Sequence, residues 1–121
     1  MSRKKQVRAA FRSSVFRRDR YWCVVCDKPG FDRQGGDGHR PFHNDQADLV
    51  ALDAHHITDR NLLPNGGYVL ENGITLCEGC HRLAEMFHST GTAEPGFSPG
   101  ELYVRIGSSL EEAIVASERL G

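Results

Sequence analysis

A chain of 121 residues, 39% hydrophobic and 26% charged, has room for one domain with a modest core. No apolar run approaches the about 18 residues of a membrane span, and the basic N-terminus lacks the apolar stretch of a secretory signal, so neither membrane nor secretion is expected and the location is read as cytoplasmic. The net charge of −1 hides an asymmetry: residues 1–20 hold eight Arg/Lys against one acid and the remainder seven against fifteen, a basic arm suited to a polyanion on a mildly acidic body.

In chain order, residues 4–18 read as a helix, with Val7, Phe11 and Val15 at i, i+4 and i+8 on one face. Cys23-x-x-Cys26 follows and is matched by Cys77-x-x-Cys80, with 50 residues between the pairs. In a reducing compartment such pairs read as metal ligands before disulfides, and no βαβ pattern supports a redox motif. Residues 28–48, rich in Gly, Asp, Pro and His, are expected to be an insertion loop. A strand is expected over 48–57 and a turn-rich loop over 58–67, with a tight Asn65-Gly66 turn. A second strand is expected over 68–76, bent or bulged at Asn72-Gly73. The second cysteine pair leads into a helix from about His81 to His88. A loop over 90–100, a short strand near Leu102–Ile106 and a final helix, with a Ser109/Glu112 capping box, close the chain. There is no internal repeat.

The stretch "LDAHHI" sets two imidazoles side by side on the first expected strand. Adjacent strand residues point to opposite sides, so His55 and His56 are poorly placed to share one ion. One can hold a metal while the other, near its ordinary pKa of about 6.5, handles a proton. His81, in the first turn of a helix, lies where the helix dipole disfavours a protonated ring and leaves a lone pair for a metal.

"FRRDRYWCVVC", "DAHHI", "ENGITLC" and "CEGCH", in that order, resemble the HNH endonucleases; the resemblance covers roughly residues 12–85. It implies an α+β fold with a small ββα-metal (His-Me finger) core. It also implies two CxxC zinc knuckles, an N-terminal helix and a C-terminal strand/helix extension. The expected layout is a single domain over 1–121: a basic helix over 1–22, knuckles and core over 23–88 with the 28–48 insertion, and an extension over 89–121. The implied activity is metal-dependent hydrolysis of DNA phosphodiester bonds, by nicking or double-strand cleavage, leaving 5′-phosphate and 3′-hydroxyl ends. His56 would be the general base and Asn72 would pin the loop that orients it. His55 and His81 would hold one divalent ion (Mg²⁺, Mn²⁺ or Ni²⁺), and Cys23, Cys26, Cys77 and Cys80 a structural Zn²⁺. The chemistry agrees. One ion held by few protein ligands keeps positions open for phosphate and water, whereas four thiolates close a tetrahedral shell.

Arg8, Arg12, Arg17, Arg18, Arg20 and Arg60 are the expected phosphate contacts, supplying affinity and salt dependence without sequence choice. Glu85 lies one turn beyond His81 and is read as a solvated carboxylate in preference to a third ligand. His88 is read as a capping or surface residue, and His39 and His43 as loop residues. Asp19 is expected to pair with an arginine. Phe97, Leu102 and Ile106 are assigned to the core of the extension. A homodimer would account for double-strand cleavage, and a recruiting partner protein for the choice of target. The competing readings are a zinc-stabilised nucleic-acid-binding module without activity and a ring-finger-like interaction domain. The complete set of His56, Asn72 and His81 argues against the first, and the His55-His56 pair on a strand against the second.

Overall fold

The structure is a computed structural model that describes residues 2–35 and 48–121. The apolar spacing at the N-terminus forms helix α1, Arg3–Arg18, capped by Ser2, whose hydroxyl accepts the Lys5 N–H at 3.2 Å. α1 buries Phe11, Val15 and Phe16. It packs on a three-stranded sheet of order β1-β2-β3, built from Gly30–Asp32, Val50–His56 and Gly73–Cys77. β1 runs parallel to β2, and β2 antiparallel to β3, with His55 opposite Ile74 and His56 opposite Gly73. Helix α2, Glu78–Thr90, follows β3 directly, and α3, Pro99–Ile106, and α4, Leu110–Glu118, complete an α+β fold. No helix among the described residues is long and apolar enough to cross a membrane.

Two details fix how α1 meets the sheet. A Cβ on Gly73 would collide with Val15 and lie 2.8 Å from a Phe11 ring carbon, so the close approach of helix to strand requires glycine there. Arg18 then pairs with Asp19 at 2.8 Å and donates to the carbonyls of Leu70 (2.8 Å) and Gly73 (2.6 Å), while Asp19 accepts the Thr75 N–H at 2.9 Å. The expected pairing of Asp19 with an arginine is present, and it joins α1 to β3.

Four local expectations are corrected. Leu102–Ile106, expected as a strand, is helical. Ser98 and Glu101 form a full capping box with Pro99 in the first turn, and Gly107 ends the helix in the left-handed region. Those end signals outweigh the β-prone "LYV" composition. The second core strand begins at Gly73 and not at Tyr68, because Leu70–Asn72 form a 3₁₀ turn that carries Asn72 inward. α2 is longer than His81–His88, starting at Glu78 so that Cys80 belongs to its first turn. The 28–48 segment contains β1; its residues 36–47, with His39 and His43, lie outside the described residues. Asn65 and Gly66 do form the tight turn, both with positive φ (55° and 85°), the signature of a type I′ turn. At α4, Ser109 caps the Glu112 N–H. Phe97 and Leu102 are buried in the core, with Ile106 packed against it.

Candidate functional site

Strand alternation sends the two histidines apart. His55 points to α2 and is 1% exposed. His56 points to α1, where its ring stacks on Phe11 (centroids 4.5 Å, 24°) and meets Tyr68 edge-on at 4.7 Å. Across from His55, α2 presents His81, Glu85 and His88, which share one helical face by their i, i+4, i+7 spacing. Glu85 Oε1 lies 3.2 Å from His55 Nδ1 and 3.3 Å from His81 Nε2. The His55 ring is 5.1 Å from that of His81 and 5.3 Å, nearly parallel, from that of His88.

The tightest group is His55, Glu85 and His88, whose donor atoms lie within 4.8 Å of one another; His81 joins it through Glu85. His88 Nε2 also meets the His56 carbonyl at 3.0 Å. Both ring nitrogens of His55 are buried and neither makes a well-directed hydrogen bond, Nδ1 meeting only the Glu85 oxygen at 3.2 Å. Polar atoms so enclosed normally have a partner, and a divalent cation held with Glu85 would give one to the ring nitrogen that faces it, so the donor set fits such an ion.

Burial pushes His55 below its ordinary pKa and His56 to about 4, the latter helped by its His55 neighbour. Both rings are therefore neutral at neutral pH, with a lone pair available. Glu85 is held down at about 2, chiefly by His55 beside it. His56 Nε2 is buried and unpartnered. His56, Asp53, His81, Glu85, His88 and Arg60 line a common cleft of about 480 Å³.

Asn72 is wholly buried and saturated. Its Nδ2 donates to the carbonyls of Thr58 (3.1 Å) and Gly67 (3.2 Å). Its Oδ1 accepts the Thr58 N–H (2.9 Å) and the Tyr103 hydroxyl (2.8 Å). The Asn72 carbonyl takes the Ile57 N–H at 2.9 Å, so this residue clamps the chain immediately after His56.

Below the sheet the four cysteine sulfurs gather within 4.8 Å of one another, with Cys26 and Cys77 Sγ 3.6 Å apart. Burial, reinforced by the Cys23 thiol, pushes Cys26 up to about 11. A central cation is what lets four adjoining thiols ionise together.

A family model of the HNH endonucleases matches residues 23–85, just over half of the chain, from the first cysteine to Glu85. The chain belongs to the HNH endonuclease family. No curated protein and no solved structure matches it.

Within this HNH domain, three further residues lie beside His55 and His81. Glu85 and His88 carried a signal in their helical spacing from His81. Asp53 lies two residues before His55 and so shares its face of β2. It is buried, with Oδ2 3.4 Å from His81 Nδ1 and Oδ1 bound by Arg33 (3.0 Å) and Arg12 (3.3 Å). Burial alone would raise Asp53, yet the His81 contact and the two guanidinium groups hold it at about 2. A carboxylate behind a metal-binding histidine fixes the ring's tautomer and direction.

Arg12 also pairs with Asp32 at 2.8 Å and lines the cleft together with Arg60, whereas Arg8 and Arg20 are exposed.

Tyr103 lies beyond the family match, yet its hydroxyl meets both Asn72 and Thr58 Oγ1, the latter at 2.7 Å. Tyr103→Phe leaves the Asn72 oxygen one donor short and Thr58 Oγ1 without this partner. Unfolding free energy in urea should fall by about 1–2 kcal/mol; an unchanged midpoint would show that the hydroxyl contributes nothing.

Proposed function

We propose that this chain is a metal-dependent DNA endonuclease that hydrolyses phosphodiester bonds, with His56 as general base and one divalent ion on His55 and His81. Glu85 is added as a third ligand, and His88 stands within reach of the same position. The observation that carries the reading is the buried His55 ring, neither nitrogen in a well-directed hydrogen bond, facing a carboxylate and two imidazoles while its neighbour turns into the same cleft.

The ion, when bound, supplies positive charge to the scissile phosphate and its departing 3′-oxygen. The rest falls to the protein. His56, neutral through burial, takes the proton of the attacking water. Phe11 and Tyr68 fix its ring plane, and Asn72 holds the segment 57–58 behind it. Asp53, anchored by Arg12 and Arg33, aims His81. Arg8, Arg17, Arg20 and Arg60 are proposed to meet the phosphate backbone. The four thiolates are proposed to hold a structural Zn²⁺, their number and softness favouring zinc.

Incubation of the purified chain with supercoiled plasmid and Mg²⁺, Mn²⁺ or Ni²⁺ should yield nicked or linear DNA, and EDTA should stop it. DNA that is bound but left intact with all three ions would replace this reading with that of a binding module.

A further inference from the structure

Beside the cleft lies a larger depression of about 710 Å³. One wall is the N-terminal half of α1 and the other the turn segment around Arg60, Asn61 and Tyr68. Four lining side chains are cationic, Arg3, Lys4, Arg8 and Arg60, and no lining side chain is a carboxylate, although Leu120 and Gly121 also line it and Arg3 donates to the Leu120 carbonyl at 3.0 Å. In a chain of net charge −1, such a concentration of one sign raises the local concentration of an anionic ligand.

Three contacts join this depression to the catalytic cleft. Arg60 and Asn61 line both, so the two form one continuous groove. Tyr68 stands where they meet, its ring edge-on to His56 and its hydroxyl accepting from Arg60 Nη1 at 2.9 Å. Arg8 lies over the same ring, 5.7 Å from its centroid. One tyrosine therefore touches the base and holds two cations beside it. The partner of a groove with cations spaced along it is a chain of repeated anions, and the groove starts where the scissile phosphate would sit.

We propose that this groove carries the DNA strand running away from the scissile phosphate, with Lys4, Arg8 and Arg60 on its phosphates and Tyr68 against a sugar or base. The proposal rests on the DNA reading of the site and extends it to residues outside the family match.

The test is fluorescence anisotropy of a labelled duplex of about 20 base pairs with no divalent ion added, where cleavage cannot intervene. Lys4→Ala/Arg8→Ala removes two exposed cations, and a urea melt checks that the fold is kept. Affinity should fall about tenfold at moderate salt, and the slope of log affinity against log salt should become shallower by about 2. A two-cation control away from the groove, Lys28→Ala/Arg105→Ala, should leave both unchanged. Equal loss in the control, or an unaltered slope in Lys4→Ala/Arg8→Ala, would overturn the groove. Hydrolysis of bis(p-nitrophenyl) phosphate by the unsubstituted protein with Mn²⁺ reads the catalytic centre separately. If that and plasmid cleavage both fail, the nuclease reading falls, while the anisotropy titration still decides the groove.

Discussion

His56→Ala should remain folded and lose strand cleavage by about 10²–10⁴-fold, the contribution of a positioned general base. Among the described residues, no other imidazole at the cleft is placed to replace it. His55 and His81 face Glu85 and the proposed ion, and His88 engages the His56 carbonyl. Asp53 is held by two arginines. The ring's structural contribution is smaller: its stacking on Phe11 and edge contact with Tyr68 are worth about 0.5–1.5 kcal/mol each beyond burial. The measurement is the nicking rate at saturating metal, set beside a urea melt and a metal titration. Retained fold and metal affinity with a collapsed rate is the expected pattern. Cleavage within a few-fold of the unsubstituted protein would remove His56 from the mechanism.

Two of the residues that give the site its order came from positions where sequence spacing says little. His55, His56, Asn72 and His81 were legible because their types and order carry a specific chemistry. The strand that separates the first two follows from alternation. For Arg12, a basic helix offers no hint that this cation also turns toward the sheet. Its partners, Asp32 and Asp53, lie 20 and 41 residues away, and only the sheet brings them together. The same holds for Arg18, whose carbonyl partners at Leu70 and Gly73 are 52 and 55 residues distant. Glu85 and His88 were legible in principle, being on one helical face with His81, but a carboxylate and a histidine near a helix end are common on solvated surfaces. α3 was misread because aromatic and β-branched residues at 103–106 suggested a strand, while the Ser98/Glu101 box was the stronger local signal.

Cys77→Ser is expected to release the structural metal and with it the cooperative fold. Its sulfur lies 3.6 Å from that of Cys26, and the four sulfurs form one group, so the loss of one thiolate opens a shell that needs four. Structural zinc in small domains contributes about 10–16 kcal/mol of apparent binding free energy, comparable to the whole stability of about 5–15 kcal/mol typical of a domain. The effect reaches the site by a short path. Cys77 is paired with Leu52 of β2 at the foot of the strand that carries His55, and α2, which carries His81, starts at the next residue. The first cysteine pair is tied in by the Val24 N–H to the Thr75 carbonyl at 3.0 Å. Elemental analysis should find about one tightly held zinc per unsubstituted chain and none in Cys77→Ser, whose far-UV circular dichroism should lose its cooperative melt. A variant without zinc that melts within a few degrees of the parent would mean that packing of α1 against the sheet, and not the thiolate centre, holds the domain together.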